Sequence, residues 1–77
     1  MQDWQTRIVM DREILAGKPI IKGTRLSVEF ILELLAEGSS SAEILQNYPQ
    51  LKAEDIQAAL HYAAELLKQE RIYPMAV

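Results

Sequence analysis

Two lysine–glycine junctions frame an apolar pair in the segment Leu15–Val28, LAGKPIIKGTRLSV, and Arg25 follows close behind. Cations beside glycines suit an anion, because glycine lets the backbone come close to a phosphate. A phosphate-binding loop, however, needs the order G-x-x-x-x-G-K-[ST] between a strand and a helix. Here Lys22 precedes Gly23, Gly17 is one residue too far away, and Ile20 and Ile21 occupy positions that must be small. A phosphate loop is therefore excluded. The segment reads instead as a strand between two glycine turns, with Lys22 and Arg25 placed to meet DNA phosphates or an acidic protein surface.

Charge is divided unevenly along the chain. Residues 1–25 carry five bases (Arg7, Arg12, Lys18, Lys22, Arg25) against three acids, a balance of +2. Residues 26–77 carry three bases against eight acids, −5, so the whole is −3. The total argues against indiscriminate nucleic-acid binding. The asymmetry points to a basic arm with its own partner. In a dimer such arms would present their bases together to DNA or to an acidic protein.

Catalysis has little to work with. The chain holds one histidine, His61, and no cysteine, so neither a thiolate metal site nor a histidine cluster is available within one chain. Ser39, Ser40 and Ser41 read as a loop and a helix cap. No pair of carboxylates sits among apolar residues that would raise a pKa. No enzyme, metal or cofactor is expected.

These side chains need a scaffold, and the pattern is mainly α. Two short strands are predicted near Ile8–Met10 and Ile20–Ile21. Pro19 marks a strand start or an edge. A two-stranded ribbon is unstable alone, so it must pack on helices or on another chain. A first helix is expected over Val28–Glu37, with Ser27 as N-cap and Gly38 beyond its end. Phe30, Ile31, Leu34 and Leu35 share one face, while Glu29, Glu33 and Glu37 line another at i, i+4, i+8. That acidic stripe must be solvated or face a basic partner.

A second helix, Ser41–Asn47, opens on the capping box Ser40–Glu43 and stops before Pro49. A third runs from Ala53 to Glu70, with Ile56, Ala59, Leu60, Ala63 and Leu67 as its buried stripe. Leu51 and Ile56 form a hydrophobic staple, but Lys52 is a poor capping residue. Three helices with a short middle one match a helix-turn-helix outline. The chain divides into an N-terminal β arm, residues 1–26, and a three-helix core with a C-terminal tail, residues 27–77, within one domain.

In a helix-turn-helix the third helix enters the major groove by its N-terminal residues. Gln57 and His61 are the base-reading candidates there, but Glu54 and Asp55 would repel phosphates. The basic arm is the stronger DNA contact, through backbone phosphates rather than bases. Trp4, Ile20, Ile21, Tyr73 and Met75 are candidates for a partner interface. At 77 residues the chain buries only about 60% of its unfolded surface, and without disulfides or metal a homodimer is expected. No stretch approaches the roughly 18 apolar residues of a membrane span, and MQDWQTR lacks the apolar run of a signal peptide, so a cytoplasmic protein is expected.

The string Asp11 with Ile14-Leu15 and Gly17, GKPIIKGTR at Gly17–Arg25, Gly38 after an acid, Tyr48-Pro49, Leu51, Asp55-Ile56, Ala59-Leu60 and Tyr62-Ala63 closely resembles one family. That family is the domain of unknown function 433, small bacterial and archaeal proteins regarded as VapB-like antitoxins, and the resemblance runs from about Ile8 to Tyr73. Arg12 stands where members usually carry Pro, and Lys52 where they carry Thr. The resemblance implies a homeodomain-like three-helix core with an N-terminal β arm, often dimeric. It also implies pairing with a PIN-like ribonuclease toxin and binding to the protein's own promoter DNA. It carries no established catalytic residue. Without it, the pattern leaves a second reading open: a protein–protein module on a helix-turn-helix scaffold that binds no DNA.

Overall fold

The structure, a computed structural model, describes residues 3–70, with side chains through Gln69. Its elements run in the order expected: two strands, then three helices. Strand β1 (Ile8–Met10) pairs antiparallel with β2 (Pro19–Ile21), placing Ile8 opposite Ile21, Val9 opposite Ile20 and Met10 opposite Pro19. The helices are α1 (Val28–Ala36), α2 (Ser41–Asn47) and α3 (Ala53–Glu70). Two 3-10 turns, Trp4–Arg7 and Leu15–Gly17, complete the N-terminal third; neither is announced by the sequence pattern.

The starts of all three helices and the end of α1 are fixed by specific devices. Ser27 Oγ accepts from the Phe30 backbone N–H at 2.9 Å and starts α1. Gly38, at φ +103°, ends it in the left-handed conformation that glycine adopts without strain. There the N–H of Gly38 donates to the carbonyl of Leu35, and that of Ser39 to Leu34, a Schellman closure. The capping box of α2 is complete: Glu43 N–H donates to Ser40 Oγ, and Ser40 N–H to Glu43 Oε1. These bonds, first to the Ser40 backbone and then to its side chain, hold the Glu43 pKa below its usual value.

Helix α3 starts without help from the Lys52 side chain. Asp55, in the first turn, reaches back and accepts the Lys52 N–H at 2.9 Å. Leu51 and Ile56 are both buried in the core, as a staple requires.

The core is one cluster: Ile21, Val28, Ile31, Ile44, Leu51, Ile56 and Ala59. Strand β2 and all three helices contribute, so the ribbon rests on the helices of its own chain. This corrects the expectation for Ile20 and Ile21 as interface residues, because each is only 1% exposed. Alternate strand residues face opposite sides. Ile21 points into the helical core, while Ile20 shares a cleft with Val9 and Ile14.

Two further differences concern the helices. The apolar face of α1 is rotated, with Val28 and Ile31 buried and Phe30 only half-buried, its ring edge-on to Tyr48 at 5.5 Å. On α3, Ile56 and Ala59 are buried as expected, and Ala58 joins them. Leu60 and Leu67, expected inside, are 44% and 55% exposed. Leu60, eighth of the eighteen residues of α3, lies at the edge of the buried face formed by Asp55, Ile56, Ala58 and Ala59; for Leu67 the reason is length. At about 1.5 Å per residue α3 is about twice as long as α1, and its second half extends past the layer that could cover it.

Candidate interaction surface

Three regions of the surface hold the residues singled out from the sequence. The first is the side of α3 that would read DNA. The 3-10 turn Trp4–Arg7 lies across it. Its own start is capped by Asp3, whose carboxylate accepts from Gln5 N–H at 3.1 Å. The Trp4 ring stacks on His61, centroids 5.8 Å apart and 11° from parallel, and meets Tyr62 edge-on at 6.5 Å. Arg7 Nη1 donates to Asp55 Oδ1 at 2.9 Å. Trp4, Arg7, Glu54, Gln57 and His61 thus line one cleft of about 220 Å³. Asp55, expected to face phosphates, is instead 5% exposed and serves as helix cap and ion-pair partner. Arg7, expected in a basic arm, is tied to α3.

The second region is the turn after β2. Lys22 N–H donates to the Arg7 carbonyl at 2.8 Å, extending the ribbon by one pair. Thr24 Oγ1 donates to the Ile21 carbonyl at 2.8 Å and accepts from Leu26 N–H at 3.0 Å. Thr24 N–H also bonds the Ile21 carbonyl, and Ile21 N–H bonds that of Leu26. Gly23, at φ +83°, makes the reversal. The outcome is a braced turn that carries Lys22 and Arg25 outward. Both are exposed, and neither has an ion-pair partner among the described residues.

The third region is a groove between α1 and the exposed half of α3, with a volume of about 650 Å³. Val28, Leu32 and Ala36 line it from α1, and Ala63, Leu66 and Leu67 from α3. Lys18 stands at its edge, bonded to Glu29 at 3.0 Å. Both side chains of that pair are well exposed, so it adds little stability.

Residues 8–63 match the family described as protein of unknown function (DUF433). The chain belongs to that family. Among solved structures it resembles a DUF433 member from Anabaena variabilis, determined by crystallography. That likeness has a TM-score of 0.77 and 34% identity, over 87% of this chain and 67% of the other. The chain is also 39% identical over 51 residues to the uncharacterized protein y4eO of Sinorhizobium fredii. That match takes in 66% of this chain but spans only 23% of y4eO.

With the family in place, the expected site residues sort by position. Trp4, Arg7, Gln57 and His61 are brought together on α3. Lys22 and Arg25 share the braced turn. Lys18 belongs to the edge of the apolar groove, and exposed Arg12 to the connection between the strands. The basic arm is therefore spread over several places rather than forming one stripe. Tyr73 and Met75 lie outside the described residues. Two features escaped the sequence pattern. Asp55 as a cap was readable from an acid three residues after Lys52; its partner Arg7, 48 positions away, was not. Among the described residues, no group of three or more His, Asp or Glu side chains could hold a metal ion. Among them, too, no helix is long and apolar enough to cross a membrane.

Proposed function

We propose that this protein is a non-catalytic, antitoxin-like module that neutralises a PIN-like ribonuclease through its Lys22–Arg25 turn. The observation that supports this reading is the turn itself: two exposed cations without ion-pair partners, on backbone fixed by bonds among Ile21, Thr24 and Leu26. A nuclease of that kind holds its metal in an acidic cluster. A pre-organised pair of cations can occupy such a cluster with little loss of conformational entropy on binding.

The test is the double charge reversal Lys22→Glu with Arg25→Glu. Neutralisation of a PIN-like ribonuclease partner should be lost. The melting temperature should stay near that of the parent, since exposed positions of this type shift stability by only about 0.5 kcal/mol. Full neutralisation by the reversed protein sinks the proposal.

Promoter binding is the second reading, and the same exposed cations, with Arg12, favour it. Such contacts would be to phosphates, giving affinity and a steep dependence on salt. Base reading by Gln57 and His61 is disfavoured because Trp4 lies over His61 and Glu54 lines the same cleft. A titration into duplex from the upstream region, at two salt concentrations and beside a scrambled duplex, separates the cases. Selective binding supports promoter recognition. Equal, salt-sensitive binding supports phosphate contact alone.

A further inference from the structure

We infer that the groove between α1 and the second half of α3 receives an amphipathic helix of a protein partner, basic along the edge that faces α1. This rests on the partner-binding reading above and names a second point of contact for it. Three observations carry it.

Among the described residues, the floor is apolar and uncovered. Leu66 is 39% exposed and Leu67 55%, on a helix whose first half buries Ile56, Ala58 and Ala59. Solitary exposed leucines are ordinary, but here they lie beside Leu32, Ala36 and Ala63 in one concave surface.

The shape suits a helix. Val28, Leu32 and Ala36 recur at i, i+4, i+8 along α1, and Ala63 and Leu67 at i, i+4 along α3. The lining of α1 therefore extends about 12 Å, a little over two turns. A helix laid there would present apolar anchors at i, i+3 or i+4, and i+7. Ala36 and Ala63 are small, which allows an interaxial distance of about 8–10 Å.

Charge selects among occupants. Glu29 and Glu33 line the groove one helical turn apart, and Glu37 continues the row. Only Glu29 has an ion-pair partner, Lys18, among the described residues. Glu33 and Glu37 are exposed carboxylates awaiting a cation. A second copy of this chain does not supply it by a helix. Formal charges are −2 on α1, −1 on α2 and −3 on α3, so each would bring like charge to an acidic rim. A basic helix satisfies both floor and rim; a dimer of this chain would have to use another face.

The experiment uses the full chain and two synthetic helical peptides of about three turns. Both carry the same leucine pattern. One has Lys and Arg flanking it, the other Glu. Binding is read by fluorescence anisotropy, and its location by amide shifts in the labelled protein. The basic peptide should bind at least about tenfold more tightly, with shifts centred on Leu32, Ala36, Ala63 and Leu66. Glu33→Lys should narrow that preference. Ala63→Glu and Leu66→Lys should each remove binding while the helical circular dichroism and melting temperature hold.

Equal binding of the two peptides, or binding unmoved by Ala63→Glu and Leu66→Lys, overturns the inference. So does sedimentation showing a concentration-dependent dimer that Leu66→Lys dissolves, since the occupant is then a second copy. The basic-turn proposal fails separately, when charge reversal at Lys22 and Arg25 leaves neutralisation intact but the groove variants still lose the peptide.

Discussion

Asp55 is the residue whose replacement tests the packing logic most sharply. It is buried, and its carboxylate accepts two bonds, from Arg7 Nη1 and from the Lys52 N–H, each 2.9 Å long. Asp55→Ala removes the first-turn cap of α3 and leaves a partly buried guanidinium without this partner. Hydrogen bonds to charged groups contribute about 1.5–3 kcal/mol each. The Arg7 side chain keeps 22% exposure, so water recovers part of that loss. The net cost should be about 2–4 kcal/mol. At about 4–8 °C per kcal/mol for a domain of this size, the melting temperature should fall by about 8–32 °C. Glu54→Ala, one residue earlier but exposed, should cost no more than about 0.5–1 kcal/mol through the helix dipole. Thermal melts by circular dichroism, with chemical denaturation for the free energies, read both. Coupling between Asp55→Ala and Arg7→Ala in a double-mutant cycle should reach about 1–2 kcal/mol. Equal losses at positions 54 and 55, or no coupling to Arg7, would refute the assignment of Asp55 as a structural acid.

Trp4→Ala should cost about 1–3 kcal/mol, since it removes ring contacts to His61 and Tyr62. Trp4 is the only tryptophan, so its emission should report unfolding of the parent at the same midpoint as helical circular dichroism. Ala16→Gly should stabilise by about 0.5–1 kcal/mol, because Ala16 is held at φ +56°, where an alanine is strained; a loss in chemical denaturation would place that strain elsewhere. Glu43 should titrate in NMR below its usual pKa and return toward it in Ser40→Ala. The sign follows: a lowered carboxylate pKa contributes stability at neutral pH that disappears as pH falls through the native-state pKa, so Ser40→Ala should flatten that part of the acid limb.

What the sequence made legible was local. Ser27, the Ser40–Glu43 box, Gly38 and the Leu51–Ile56 staple each act within a few residues, and all appear where their spacing places them. The two short strands near Ile8–Met10 and Ile20–Ile21 were legible for the same reason. What escaped depended on partners distant along the chain. Periodicity marks Leu60 and Leu67 as apolar positions of α3 but does not say how wide its buried face is or where the opposing layer ends. Ile20 and Ile21 looked like surplus apolar residues on an arm because their covering groups, Val9, Ile14 and the α1 core, come from either side of them. Ala58, fully buried, carries too short a side chain to stand out in a hydrophobic pattern.

Asp55 shows why the candidate site was harder to read than the fold. As a bare letter it was an acid at the mouth of a recognition helix, and it counted against DNA. In the folded chain it is consumed internally together with Arg7, so it counts neither for nor against a partner. The same accounting removes Arg7 from the basic arm and covers part of α3 with Trp4. Among the charges the fold does not use are Lys22 and Arg25 on a braced turn and Glu33 and Glu37 beside an apolar groove. On the readings proposed above, a protein partner would offer an acidic pocket to the first and a basic helix to the second. On the protein-partner reading, the charge asymmetry between the two parts of the sequence is a demand on the partner's surface. Combining Lys22→Glu with Leu66→Lys should then weaken capture of such a partner by more than either change alone, and additive losses within about 0.5 kcal/mol would mean the two surfaces act as independent contacts on one protein.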